Sequence, residues 1–400
     1  MTPGRRAAGV LVGLLTASPG VAAPLVVRGT VLAGRDLEPI SDGAVLVEDG
    51  RIVAVGPAAT VVVPAGAEIV EAGDRFVVPA LIDNHVHVLD RLGGRSEELA
   101  HWLAAGVGTL VDCGSSIEGL RAAARTDTGG GPRILGSGPI LTAPGGYPLL
   151  GSVGMPGLEI ADAAEAGHEA RLLLAAGADL LKVAIETGFD RDLGGTGAEN
   201  RPTRDWPTLA ESTVAAVVAE AHAAGRTVRA HVTQSGELAR AFDAGVDAAA
   251  HTPTDPIPEA LLAAAVQHGR ILITTAALWR EMPELQAIVL ENLRRWVAAG
   301  GRIALGTDAP TFHPGWAGPR LEIETLQAGG LAAEAIVSSA TVWGGAAVGL
   351  EGELGSLEPG ARADLIVLPR DPRADATALL ESEVVVARGR VVRSFGGSEP

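Results

Sequence analysis

The chain has one lysine, one cysteine and one tyrosine in 400 residues. A single cysteine, Cys113, excludes an internal disulfide and any cysteine-rich zinc module. Aromatic residues make up only 3%, and no apolar run is long enough to cross a bilayer, so no membrane span is expected. Positive charge is also short: 31 basic side chains face 48 acidic ones, a formal net charge of −17. Nucleic acid and anionic membrane surfaces would repel such a chain. Composition leaves a homo-oligomer open.

The scarcity of lysine says most. Arginine fills every other basic position, yet Lys182 stands inside the apolar run GADLLKVAIETG. Arginine is always charged, whereas burial can neutralise a lysine amine and make it nucleophilic. The position therefore points to amine chemistry. The plainer alternative is a lysine snorkelling to solvent from a strand end.

What is present divides into three parts. The start, MTPGRRAAGVLVGLLTASPGVAAP, has a basic segment, a short apolar stretch and small residues before Pro24. It reads as a secretory signal over residues 1–23, with a periplasmic or secreted address expected and a cytoplasmic one otherwise. Residues 24–78 hold short β-rich runs, with Asp49-Gly50 as a hairpin signal, and similar material returns over residues 350–396. Neither piece has enough strands to stand alone, so a small β-sandwich built from both chain ends is expected. Between them, residues 79–349 alternate eight apolar runs with Ala/Glu/Arg-rich helical stretches, the pattern of an α/β chain folded as a (β/α)8 TIM-like barrel. The alternative, an open doubly wound sheet, lacks its Gly-rich phosphate fingerprint.

In such a barrel the chemistry lies where strands end at the C-terminal face. The first run ends in His85 and His87, whose period-2 spacing turns both rings, and Asp83 before them, to one side. The fourth carries Lys182, the fifth ends at His231, the sixth at His251 and the eighth at Asp308. A lone strand histidine is more often a hydrogen-bonded structural residue. A set of titratable groups ending otherwise apolar strands is costly to bury unless something coordinates them. Imidazole and carboxylate without sulfur suit zinc or a similar divalent ion. A neutral Lys182 could add carbon dioxide, giving an anionic carbamate able to bridge two cations; arginine could not.

These segments, VVPALIDNHVHV, LTAPGGYP, GADLLKVAIETG, RAHVTQSGELARAFDAGVDAAAH, LGTDAP and ATVWGGAAVGLEGELGSLEPGARADLIVL, resemble the amidohydrolase superfamily, in its imidazolonepropionase-like and prolidase-like branch of metal-dependent hydrolases. The resemblance implies two divalent metal ions, zinc by preference, one held by His85, His87, Lys182 and Asp308 and the other by Lys182, His231 and His251. It implies a carbamate on Lys182 as the bridge, a shared hydroxide as nucleophile, and Asp308 as general base and then acid. Amide or other C–N bonds in dipeptides, N-acyl amino acids or cyclic amides are the implied substrates. Lactones or esters, a one-metal deaminase of the same superfamily and a silent metal-binding scaffold are the rivals. Two positions depart from the family pattern: Ala80 replaces a frequent glycine, and Tyr147 stands in a GGY loop that usually reads GGH. The Tyr147 hydroxyl is expected to reach a substrate carbonyl, and His313 on the loop after Asp308 to touch substrate. Glu186 and Arg204 are weaker candidates for a charged substrate end, and Cys113 reads as a small buried thiol.

Overall fold

A computed structural model of the chain describes residues 23–92, 96–126, 131–148, 157–188, 206–310 and 317–393. Residues 1–22 of the expected signal, Arg204, His313 and residues 394–396 lie outside the described residues. Among the described residues, no helix is long and apolar enough to cross a membrane.

The eight apolar runs become the parallel strands of a (β/α)8 barrel. The first strand is Leu81–Val86, the second Val107–Asp112, the fourth Leu181–Ala184 and the fifth Val228–His231. The sixth to eighth are short: Ala248–Ala249, Ile271–Ile273 and Arg302–Ala304. The third is broken into Arg133–Gly136 and Ile140–Thr142. Its break falls at Ser137-Gly138-Pro139, where Gly138 takes φ +72° and Pro139 has no N–H to offer a neighbour. The first half pairs with the second strand and the other half with the fourth. Closure between the first and eighth strands runs through their C-terminal ends: Asn84 N donates to Leu305 O at 2.7 Å, Asp308 N to His85 O at 2.7 Å and His87 N to Ala309 O at 2.8 Å.

Helices cover the outside by their apolar faces. In the helix Pro283–Ala298 the buried residues Leu285, Val289, Leu293 and Trp296 follow one face at helical spacing. The Trp296 indole N–H donates to Arg302 O at 3.0 Å, which ties this helix to the eighth strand. The helix Ser235–Asp243 opens with a capping box in which Gln234 and Glu237 satisfy each other's backbone N–H groups.

Both chain ends meet in one seven-stranded sheet. Strands Leu25–Ala33, Glu38–Glu48, Arg51–Pro57 and Glu68–Pro79 are joined by Leu365–Leu368, Val384–Ala387 and Arg390–Arg393. The crossover is antiparallel, with Ile366 opposite Val78. The expected hairpin is present: Glu48 pairs with Arg51 around Asp49 and Gly50, whose φ values of +49° and +74° are those of a type I′ turn. The sheet curls until Ile52 N donates to Ala361 O at 2.9 Å, giving the sandwich-like small domain. Period-2 alternation then serves two cores at once. Leu365 and Val367 pack with Val27 and Val45 inside the small domain, while Ile366 and Leu368 join the barrel's core with Leu81 and Trp102.

Candidate metal centre

The strand-end residues meet where the barrel geometry puts them. His85 and His87, two apart on the first strand's end, bring their Nε2 atoms to 3.2 Å from each other. Asp308, beyond the eighth strand, sets its Oδ1 at 3.1 Å from His87 Nε2 and 3.6 Å from His85 Nε2. The ligand atoms of these three residues lie within 4.8 Å of one another. His251 packs its ring 4.6 Å from that of His85 and 4.8 Å from that of His231. Lys182 is 1% exposed, and its charge bears on His85, His231, His251 and Asp308. The single lysine therefore does not snorkel to solvent; it is buried among the imidazoles.

Local backbone explains how the LGTDAP run delivers its aspartate. A Cβ on Gly306 would meet Ile273 Cγ2 at 2.4 Å and His85 Cβ at 3.0 Å, so only glycine lets the eighth strand's end pass this close to the first strand's His85. Two residues on, Asp308 takes φ +57°, a left-handed conformation uncommon outside glycine and concentrated at functional sites. Asp83 underpins the same junction. Its side-chain oxygens accept from Thr307 Oγ1 at 2.7 Å, Thr307 N at 3.1 Å and His85 N at 3.2 Å, so it ties together the backbone that carries His85 and Asp308.

The electrostatics suit cation binding. Burial drives His85 and His251 well below the usual imidazole range and His231 down to about 3, so these rings are neutral at pH 7 and keep a lone pair. Burial also brings Lys182 down to about 8. Burial works against ionising Asp308, yet the hydrogen bond from His87 and the charges of His87, His251 and Lys182 hold it below the ordinary carboxylate range. Tyr147 is pushed well above the phenol range by burial and by the nearby carboxylates Glu186 and Asp308, so its hydroxyl keeps its proton.

The donor set fits a metal on its own evidence. Lys182 Nζ is buried without a hydrogen-bond partner among the described residues, and the Nε2 atoms of His85 and His87 both face Asp308 Oδ1. An unsatisfied buried polar atom costs about 1–3 kcal/mol, and two imidazole lone pairs converging with a carboxylate repel unless a cation joins them.

Other expectations resolve as follows. Tyr147 lies at the site, its ring 4.4 Å from that of His231 and stacked 5.8 Å from Trp206. Cys113 is fully buried, with Sγ 3.6 Å from Arg229 Nη1. His222 is exposed beside Asp247, and His268 caps its helix on Ala264 O, as their helical contexts indicate. Glu186 does not extend toward solvent as a substrate hook would; it is 1% exposed, burial raises it to about 8, and its Oε2 lies 2.5 Å from His231 Nε2. The period-2 rule that pairs His85 with His87 already places Glu186 on the side of Lys182. Thr275, Trp206 and Arg229 carried no such signal. Arg229 reaches across the barrel to Asn84, bonding its carbonyl through Nη1 and its side-chain oxygen at 2.8 Å through Nη2.

The chain is 28% identical to an adenine deaminase of Paracoccus denitrificans over 94% of its own length, though it spans only 58% of that protein. It is 27% identical to an imidazolonepropionase of Symbiobacterium thermophilum, over 84% of this chain and 85% of the relative. A solved prolidase complexed with N-methylphosphonate-L-proline superposes with a TM-score of 0.74 at 25% identity, covering 93% of this chain and 100% of that one. A bacterial imidazolonepropionase-like composite domain matches residues 43–62, and the amidohydrolase family model matches residues 76–392. With a barrel whose strand ends gather histidines and an aspartate, and a family match over most of its length, the chain belongs to the amidohydrolase family.

Proposed function

We propose that this chain is a two-metal hydrolase of amide or other C–N bonds in small molecules: dipeptides, N-acyl amino acids or cyclic amides. The observation that carries the reading is Lys182, the sole lysine, buried among the imidazoles with Nζ unpartnered among the described residues. Its neutral amine adds to the carbon of carbon dioxide and releases a proton, giving a carbamate whose single negative charge is shared by two oxygens. His85, His87, Asp308 and the modified Lys182 would hold one divalent ion, zinc by preference, and Lys182, His231 and His251 a second. Bound there, divalent metal supplies a Lewis acid for the scissile carbonyl and an acidified water at neutral pH.

The remaining work falls to side chains. Asp308, kept ionised, takes the proton of the attacking water at its carboxylate and hands it to the departing nitrogen. Tyr147, kept protonated, offers a donor to the carbonyl oxygen, with Trp206 and His231 fixing its ring on either side. His313 remains a proposed substrate contact. The residue-1–23 signal, if functional, would place the activity in the periplasm or outside the cell.

A one-metal deaminase is the second reading, favoured by the fact that His85, His87 and Asp308 alone already form a compact ligand group. Metal content and a substrate screen decide. Near two zinc ions per chain, with turnover of dipeptides, N-acyl amino acids or cyclic amides, supports the proposal. One ion with ammonia release from a purine supports the rival.

A further inference from the structure

The barrel's N-terminal face, at the other end of the strands from the metal centre, gathers arginines in a chain whose net charge is −17. Arg133 opens the third strand, Asp179 and Arg226 stand just before the fourth and fifth, and Arg362 and Asp364 precede the small-domain strand Leu365–Leu368. Asp364 is tied to the barrel by Ala80 N, which donates to its carbonyl at 3.0 Å. Arg51 joins from the small domain, bridged to Arg362 through the backbone.

These guanidiniums lie close to one another and are poorly satisfied. The charges of Arg226, Arg362 and Arg133 all act on Asp179, yet Asp179 forms no ion pair among the described residues; its Oδ2 accepts from Gly136 N at 3.1 Å instead. Burial and the like charge of Arg133 push Arg362 below the ordinary guanidinium range. Its pair with Glu353 stays open at 3.9 Å, and its Nε is buried without a hydrogen-bond partner among the described residues. The Arg226 side chain makes no hydrogen bond among them either. Arg295, also half-buried, shows the usual outcome: it donates to Ile257 O at 2.9 Å and to Glu259 Oε2 at 2.8 Å. Arg133 Nη2 stands 3.9 Å from Asp364 Oδ2. That oxygen is buried with no hydrogen-bond partner among the described residues, while Oδ1 accepts from Arg388 N at 2.7 Å.

Crowded guanidinium donors without acceptors favour an oxyanion, which their planar forks match. An open carboxylate oxygen beside them repels an oxyanion that carries no proton. One that keeps a proton satisfies both groups, because its O–H donates to the carboxylate while its other oxygens accept from arginine.

We propose that Arg133, Arg226 and Arg362, with Asp364 Oδ2 as acceptor, form a binding site for a small protonated oxyanion of the hydrogen phosphate or bicarbonate type. The side chains of Arg133 and Arg362 are 16% and 23% exposed, so a small ion reaches them from solvent. The occupant joins the barrel to the small domain through Arg362 and Asp364.

Calorimetric titration of the full chain with phosphate, bicarbonate, sulfate and chloride, at neutral pH and matched ionic strength, tests the site. Phosphate or bicarbonate should saturate a site for which sulfate, fully ionised at that pH, and chloride compete poorly; whichever binds names the occupant. Arg226→Gln and Arg362→Gln should each weaken that binding about 10–100-fold, the loss expected for a hydrogen bond between charged groups. Asp364→Asn should reverse the selectivity, since its amide can donate to sulfate while its oxygen still takes the Arg388 N–H. A gain in sulfate binding is a result that misfolding cannot mimic. Phosphate and bicarbonate binding left wholly intact in both glutamine variants belongs elsewhere, the metal centre included, and overturns the proposal. Equal competition by sulfate or chloride in wild type also overturns it, as does no saturation by phosphate or bicarbonate up to about 10 mM.

Discussion

Capture of carbon dioxide by the metal-free chain is the sharpest consequence of where Lys182 sits. Burial lowers its amine from the ordinary 10.5 to about 8. At pH 7 roughly one tenth of such a group is neutral, some ~300-fold more than for an ordinary lysine. The direction follows from the protons: only the free amine reacts and each addition releases one more proton, so capture rises with pH, and at a fixed level of dissolved carbon dioxide its profile lies at lower pH than that of an ordinary lysine amine. The same shift makes metal-free stability rise between about pH 8 and 10.5, where the unfolded lysine still holds a proton that the folded one has released. The assay is incorporation of carbon-13-labelled carbon dioxide, read by NMR as a carbamate resonance across pH 6 to 11. The chain terminus is the other amine able to react, since α-amino groups titrate near about 8 as well. Lys182→Ala and Lys182→Arg separate the two, because both keep the terminus and lose the side-chain amine. A carbamate signal unchanged in those variants, or a pH profile no lower than that of a free lysine side-chain amine at the same dissolved carbon dioxide, would refute the reasoning.

Three further outcomes are expected. Asp308→Asn should keep the fold and part of its metal while turnover falls about 10²–10⁴-fold, as loss of a general acid–base implies; an unaltered rate would assign proton transfer elsewhere. Glu322 is raised by burial from 4.5 to about 7, so the stability it lends is present below pH 4.5 and lost as pH rises through 7. Urea midpoints should accordingly show the advantage of wild type over Glu322→Gln shrinking by on the order of 3 kcal/mol between pH 5 and 8, and a difference flat with pH counts against that burial cost. Trp296→Ala should cost about 3–5 kcal/mol in urea unfolding, since it empties a fully buried indole site against the eighth strand, and a loss under 1 kcal/mol would mean the helix repacks.

How much of this was legible beforehand depends on whether the signal was local. His85 and His87 sit two apart on one strand, so their convergence follows from the pleat alone. The Asp49-Gly50 hairpin is equally local, because both residues tolerate the positive φ that a type I′ turn demands. The partners of Glu186 and Thr275 were not legible. Glu186 is 45 residues from His231 and Thr275 is 24 from His251, and no spacing rule links residues on different strands. The break in the third strand could be read at Gly138-Pro139 only once the strand's two neighbours were known.

The amino-acid sequence by itself determined the element order, the strand ends that carry titratable groups, and the oddity of one lysine among arginines, because periodicity, turn chemistry and residue type are properties of short stretches. Tertiary structure decided which nitrogens of His231 and His251 are held, how far burial moves Lys182 and Glu186 and neighbouring groups move Asp308 from their solution behaviour, and which buried glutamates, Glu237 and Glu322, brace the ring of strand ends. Those depend on desolvation and on contacts between distant residues, and barrel closure brings both into being.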